Sequence, residues 1–125
     1  MPPIAIISDL GTKDYFVGAM KGVILQIIPG ASIVDITHEV PKHDVRAAAF
    51  MLAAAAQAFP KGTIFIAVVD PGVGGKRKCL LMETQNDMFF IGPDNGIFTF
   101  VAKQFGVKSV RQITNRGLML SLIHI

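Results

Sequence analysis

The chain has 125 residues, 51% of them hydrophobic and 17% charged, with a formal net charge of +3. That length fits one domain with a core of its own, and so much apolar character with so little charge excludes a disordered chain. No basic run exceeds Lys76-Arg77-Lys78 and Trp is absent, which is too weak a footprint for a nucleic-acid partner, so none is expected.

Met1-Pro2-Pro3 lacks the basic start of a secretory signal, and no apolar stretch reaches the roughly 18 residues of a membrane span. A cytoplasmic protein without a membrane partner is the expectation. Ile4 to Ile7 reads as a first strand that ends in the turn Ser8-Asp9-Leu10-Gly11-Thr12. Asp14 or Thr12 then caps a helix, because Phe16, Val17, Met20, Val23, Ile24 and Ile27 recur at helical spacing from Tyr15 to Ile28. Pro29-Gly30 stops it. Ser32 to Asp35 is another strand, and Ile36 to His43 a loop. Asp44 is a credible N-cap for Val45 to Phe59, a helix whose many alanines suit close packing on a sheet.

Thr63 to Val69 is short, β-branched and apolar at successive positions, as in a strand covered on both faces. A loop with Gly72, Gly74 and Gly75 follows. Cys79 to Thr84 and Met88 to Ile91 read as strands joined by a hairpin at Gln85-Asn86-Asp87. The lone Cys79 excludes an internal disulfide, fits a reducing compartment, and in its apolar run reads as a small buried hydrophobe. Gly92-Pro93-Asp94-Asn95-Gly96 is dense in turn residues, Ile97 to Phe105 is a short helix, and Val107 to Ile113 a last strand. The alternation predicts an α/β fold, a largely parallel central sheet with helices on both faces. Gly117 to Ile125 is apolar with no polar face. It is either a terminal hydrophobic strand or a stretch where the natural sequence has been cut and replaced.

Asp70 ends the strand Thr63–Val69, at the edge where open α/β sheets hold ligands. If Arg77 reaches it, the guanidinium lowers the carboxylate's pKa and suits the pair to orienting a water more than deprotonating it. The alternative is a solvated loop with an incidental salt bridge. Asp9 shares that edge. Its carboxylate could accept both hydroxyls of a ribose, or it could simply be a turn-forming Asp bonded to its own backbone. His38, Glu39 and His43 match no zinc spacing and Pro41 separates the histidines, so no metal is expected and a surface loop beside the site is the better reading. Gly72 to Lys76 could form an anion nest, but it lacks the Walker and dinucleotide fingerprints, so neither a nucleoside triphosphate nor a dinucleotide is expected. Gly92 to Gly96 is either a tight turn or a place where Asp94 and Asn95 face a polar heterocycle.

Six segments stand in order: Ser8-Asp9-Leu10-Gly11-Thr12-Lys13-Asp14, Val17-Gly18-Ala19-Met20-Lys21-Gly22, Val34-Asp35-Ile36-Thr37-His38-Glu39-Val40-Pro41, Asp44-Val45-Arg46-Ala47-Ala48, Val69-Asp70-Pro71-Gly72-Val73-Gly74 with Arg77, and Gly92-Pro93-Asp94-Asn95-Gly96. Together they resemble the S-adenosyl-L-methionine (SAM) hydroxide adenosyltransferases, or SAM hydrolases, relatives of the SAM-dependent fluorinase and chlorinase. The resemblance implies hydrolysis of SAM to adenosine and L-methionine, with SAM as substrate and no cofactor. It places Asp70 and Arg77 on the attacking water and Asp9 on the ribose, with Asp14, Asp94 and Asn95 as further substrate-binding residues. Halogenating relatives carry Tyr at the Asp70 position and Thr at Val73, so the nucleophile implied here is water or hydroxide.

The resemblance also implies a homotrimer with its site between subunits, and a mostly β C-terminal domain. The matching part, residues 1–120, is expected to be the N-terminal domain alone, with 121–125 a non-matching tail. The family's catalytic His belongs to a Phe-His-Gly-Arg-Asp motif that has no counterpart here, and His124 is not assigned to it. Little or no turnover is expected of such a chain. The competing readings are an inactive fragment that folds and binds nucleosides or self-associates, and a generic anion-binding module built on Gly72 to Lys76.

Overall fold

The computed structural model describes residues 2–69 and 78–113. Along them lie β1 (Ile4–Ser8), α1 (Phe16–Ile27), β2 (Ile33–Thr37), α2 (Val45–Ala56), β3 (Ile64–Val68), β4 (Cys79–Thr84), β5 (Phe89–Pro93), α3 (Thr99–Phe105) and β6 (Val107–Ile113). The strands form one sheet in the order β2-β1-β3-β5-β4-β6. β1 is parallel to β2 and β3, and β3 to β5, whereas β4 is antiparallel to β5 and β6. β4 alone opposes the common direction, so the sheet is largely parallel. Asp70 to Arg77 and residues 114–125, including the expected 121–125 tail, lie outside the described residues.

The unbroken apolar run of β3 has the double burial that its pattern predicts. Phe65, Ala67 and Val69 enter one core with Ala5 and Ile7, while Ile64, Ile66 and Val68 meet Ile4 and Ile6 on the other face. Met20 and Ile24 of α1 close the second core. Ala48, Leu52, Ala53 and Ala56 of α2, with Val101 of α3, close the first. Phe65 stacks on its cross-strand partner Phe90 with ring centroids 4.7 Å apart and planes 9° apart, and Phe59 meets Phe65 edge-on. Cys79 is buried, and desolvation raises its thiol pKa against a hydrogen bond with Gly92, in keeping with an inert core residue.

Several local expectations change. Asp44 caps α2 by accepting the Ala47 N–H at 3.0 Å, but neither Thr12 nor Asp14 caps α1. Tyr15 holds that position without a side-chain bond, and the Asp14 carboxylate accepts the Tyr15 N–H one residue too early. β2 runs on to Thr37 because Thr37 still pairs with Ile7 across an irregularity in the ladder. α2 ends at Ala56, after which the Ala58 and Phe59 N–H groups turn to carbonyls three residues back. Gly92 and Pro93 belong to β5, not to a turn. A Cβ on Gly92 would stand 2.9 Å from the Phe98 ring and 3.0 Å from the Ala67 carbonyl oxygen. The hairpin before β5 closes as expected, with the Thr84 N–H donating to the Met88 carbonyl at 2.9 Å. No helix among the described residues is long and apolar enough to cross a membrane.

The strand order contains a topological switch point. From β1 the chain passes through α1 to β2 on one side, whereas β3 leads away toward β5 and β4 on the other. β1 and β3 are adjacent, so the connections diverge between them. In open α/β sheets ligands commonly bind outside the carboxyl ends of strands whose connections diverge in this way.

Candidate functional site

Asp9 follows β1 directly and is 9% exposed. Its backbone N–H donates to the Val68 carbonyl at 3.3 Å, and its Oδ2 accepts the His43 N–H at 2.8 Å. The carboxylate is therefore engaged 34 residues away, not with its own turn. The local bond falls to Ser8, whose Oγ accepts the Leu10 N–H at 3.4 Å. His43 presents its N–H from a left-handed backbone, φ 62°, a conformation that costs a non-glycine residue about 1–3 kcal/mol and persists only where the surroundings hold it.

Asn95, in the loop after β5, is tied to the same place. Its Nδ2 donates to the Val69 carbonyl at 2.9 Å, and its Oδ1 accepts the Ile97 N–H at 3.1 Å. Consecutive carbonyls at the end of β3 thus anchor Asp9 and Asn95. Among the described residues, one N–H and one lone pair of the Asn95 amide have no protein partner. Asp94 is exposed beside it, held through its N–H to the Lys78 carbonyl at 2.8 Å. Asp14 is exposed in the loop after β1, and no hydrogen bond among the described residues joins it to Asp9. Asp70 and Arg77, with the Gly72 to Lys76 loop, lie outside the described residues.

Beneath Asp9 runs a chain of polar side chains that spacing alone does not reveal. Ser8 Oγ lies 2.6 Å from His38 Nδ1, His38 Nε2 lies 2.7 Å from Asp35 Oδ1, and Lys21 Nζ lies 2.6 Å from Asp35 Oδ2. Burial raises the Asp35 pKa, but the bonds and charges of Lys21 and His38 outweigh it and leave the carboxyl below its ordinary value. An ionised Asp35 only accepts, so His38 Nε2–H donates to it; in the neutral ring the Ser8 hydroxyl then donates to Nδ1. His38 is 4% exposed, so the surface-loop expectation holds for Glu39 and His43 and fails for His38. Both its ring nitrogens are engaged by protein. Ser, His and Asp in this sequence of contacts have the connectivity of a hydrolytic triad, yet Ser8 is 0% exposed and cannot meet a substrate. Ser8 is therefore no nucleophile in this arrangement. A signal was present in Asp35 and His38, three residues apart at a strand end, but Ser8 is 30 residues distant.

A cleft of about 410 Å³ opens beside Asn95, between the first turn of α2 (Val45, Arg46, Ala49) and the start of α3 (Gly96, Thr99, Phe100). A larger one, about 650 Å³, lies farther along α2 and α3, but Lys103 is the single ionisable group in its lining. The rim with Asp9 and Asn95 brings a nearly buried carboxylate and a backbone-anchored amide to the end of β3, and it is the candidate site.

Comparison with known proteins identifies the family. Residues 4–122 match the family model of the SAM hydroxide adenosyltransferase N-terminal domain. The (R)-S-adenosyl-L-methionine hydrolase of Methanocaldococcus jannaschii is 40% identical over 114 residues, covering 88% of this chain and 43% of that protein. A fluorinase of an Actinoplanes species is 28% identical, covering 91% of this chain and 46% of its own length. The crystal structure of a conserved protein from Thermotoga maritima superposes with a TM-score of 0.89 at 48% identity, over 92% of this chain and 44% of that one. The chain therefore spans less than half the length of these relatives.

Proposed function

The chain belongs to the SAM hydroxide adenosyltransferase family, and from that membership we propose that it supplies the nucleoside-binding rim of an enzyme that hydrolyses SAM to adenosine and L-methionine. Water or hydroxide attacks the ribose C5′, the new C–O bond forms as the C5′–S bond breaks, and the electron pair returns to sulfur. Methionine leaves as a neutral thioether and the proton of the attacking water passes to solvent. The sulfonium is already activated, so the protein's task is to bind, orient and desolvate. In this reading Asp9 takes the ribose hydroxyls, Asp70 and Arg77 hold the water, and Asp14, Asp94 and Asn95 line the substrate.

One observation carries the proposal: an almost buried carboxylate at the switch point of the sheet, with Oδ2 fixed by the His43 N–H. A carboxylate so oriented is pre-organised for a diol. Asp70 and Val73, where halogenating relatives carry Tyr and Thr, favour water over halide. A cytoplasmic homotrimer completes the proposal. Because the chain spans 43% of the Methanocaldococcus relative, turnover is proposed for a protein of that length, and the 125 residues alone are proposed to bind nucleoside without turning SAM over.

Calorimetric titration of the chain with adenosine tests the site. Asp9→Asn should weaken binding about tenfold, the loss expected when a hydrogen bond to a charged group is removed. Equal affinity in the variant would refute the assignment of Asp9. In a protein of the relatives' length, reaction in water labelled with heavy oxygen should place the label in the adenosine 5′-hydroxyl, and unlabelled adenosine would refute attack by water at C5′.

A further inference from the structure

We propose that His38 is a positioning residue for Asp9, acting through Ser8 and through the strap of backbone from His38 to His43. The inference rests on the reading of Asp9 as the ribose-binding carboxylate and names what orients it. Four bonds tie the strap to the end of β1. The Ser8 side chain meets His38 Nδ1 at 2.6 Å, the Gly11 N–H donates to the His38 carbonyl at 2.7 Å, the Val40 N–H donates to the Ser8 carbonyl at 3.3 Å, and the His43 N–H donates to Asp9 Oδ2 at 2.8 Å. Gly11 bends back to its partner with φ 75°, a turn open to glycine.

The imidazole joins the end of β1 to β2 through Ser8 and Asp35. Its far nitrogen is held by Asp35, which Lys21 of α1 holds in turn, so helix α1 and strands β1 and β2 meet at His38. Ser8 and His38 are both buried, so their mutual contact is shielded from solvent. Loss of the imidazole frees the strap to move, and the His43 N–H no longer fixes one oxygen of Asp9. The remaining oxygen then lacks a set direction toward a diol. A residue that merely stabilised the fold would affect every ligand alike, whereas this one should affect recognition of the ribose hydroxyls.

The test compares adenosine with 2′,3′-dideoxyadenosine on the 125-residue chain, by calorimetry, in the wild type, His38→Ala and Ser8→Ala. The wild type should prefer adenosine about tenfold, as hydrogen bonds to a charged group warrant. Both variants should reduce that preference to about twofold while binding dideoxyadenosine within about twofold of the wild type, and His38→Asn, which restores an acceptor near Ser8, should recover part of it. A retained tenfold preference in both variants, or an equal loss of both ligands, would overturn the proposal. Amide exchange of His43 provides a ligand-free measure, so that failure of the nucleoside reading is distinguishable. The His43 N–H should exchange at least about tenfold faster in Ser8→Ala than in the wild type, and faster than any general change in the core amides of β3. Unchanged His43 exchange overturns the positioning role even if no nucleoside binds at all.

Discussion

Gly92→Ala should destabilise the domain by about 2 kcal/mol, although it adds a single methyl group to a strand. The new Cβ would lie 2.9 Å from Cζ of Phe98, 3.0 Å from the Ala67 carbonyl oxygen and 3.2 Å from Ala67 Cβ. Two of those three atoms belong to β3, the central strand, and neither can move without disturbing the pairing of β3 with β1 and β5. The third belongs to a buried phenylalanine whose ring lies 5.7 Å from that of Phe90. Relief therefore comes by displacing Phe98, and with it the segment that carries Asn95. At about 4 °C per kcal/mol for a domain of this size, Tm should fall by roughly 8 °C. Urea denaturation gives the free energy, and the Asn95 side-chain amide signals in an NMR spectrum report the accompanying shift. Gly22→Ala is the matched control. Gly22 lies within α1 with nothing near its missing Cβ, so that change should stabilise by about 0.5–1 kcal/mol. A loss below about 0.5 kcal/mol in Gly92→Ala, or unmoved Asn95 signals, would refute the close-packing account.

Asp44→Ala removes the capping bond to the Ala47 N–H and should cost about 1 kcal/mol in urea denaturation, with Asp44→Ser close to the wild type. Asp35→Asn should lower the urea midpoint at neutral pH, and the difference should shrink in acid. The folded-state pKa of Asp35 lies below its unfolded value of 3.8, so its contribution is present above that pH and is lost as the pH falls through the folded value. Lys21 and Asp35 are both partly exposed, so high salt should also reduce the difference.

The layers were legible because the deciding signals are local. An unbroken apolar run names β3 as doubly covered, helical spacing names α1, and Asp44, three residues after Pro41, announces α2. The failures occur where a distant partner decides. Gly92-Pro93 has the composition of a turn, yet Gly92 is present because Phe98 and Ala67 leave no room for a side chain, and Pro93 ends a strand paired with Cys79. Asp14 has the composition of a cap, but the chain turns into α1 one residue too late for it. His38 has the sequence surroundings of an exposed loop and is buried because Ser8 and Asp35 satisfy both ring nitrogens. Strand order puts Asp9 at the carboxyl end of β1, where the structure has it, but the His43 amide that orients it lies in the next crossover.

The proposed reaction, with its activated leaving group, asks little acid–base chemistry of a protein and much geometry, and the polar groups at the rim of this sheet are held by backbone anchors. The Asp9 backbone hangs from Val68, the Asn95 side chain from Val69, and the Asp9 carboxylate from His43. Each anchor is a backbone group, and the carbonyls belong to the end of a strand covered on both faces. Side chains can be exchanged over evolutionary time without moving such anchors, whereas the direction of the strands cannot. The proposed division of labour follows: the sheet end fixes where the nucleoside is held, and the nucleophile is decided by residues at positions 70 and 73. Water and halide chemistry could then diverge on one scaffold by changes confined to the loop after β3, with the ribose-binding carboxylate and its buried support left in place.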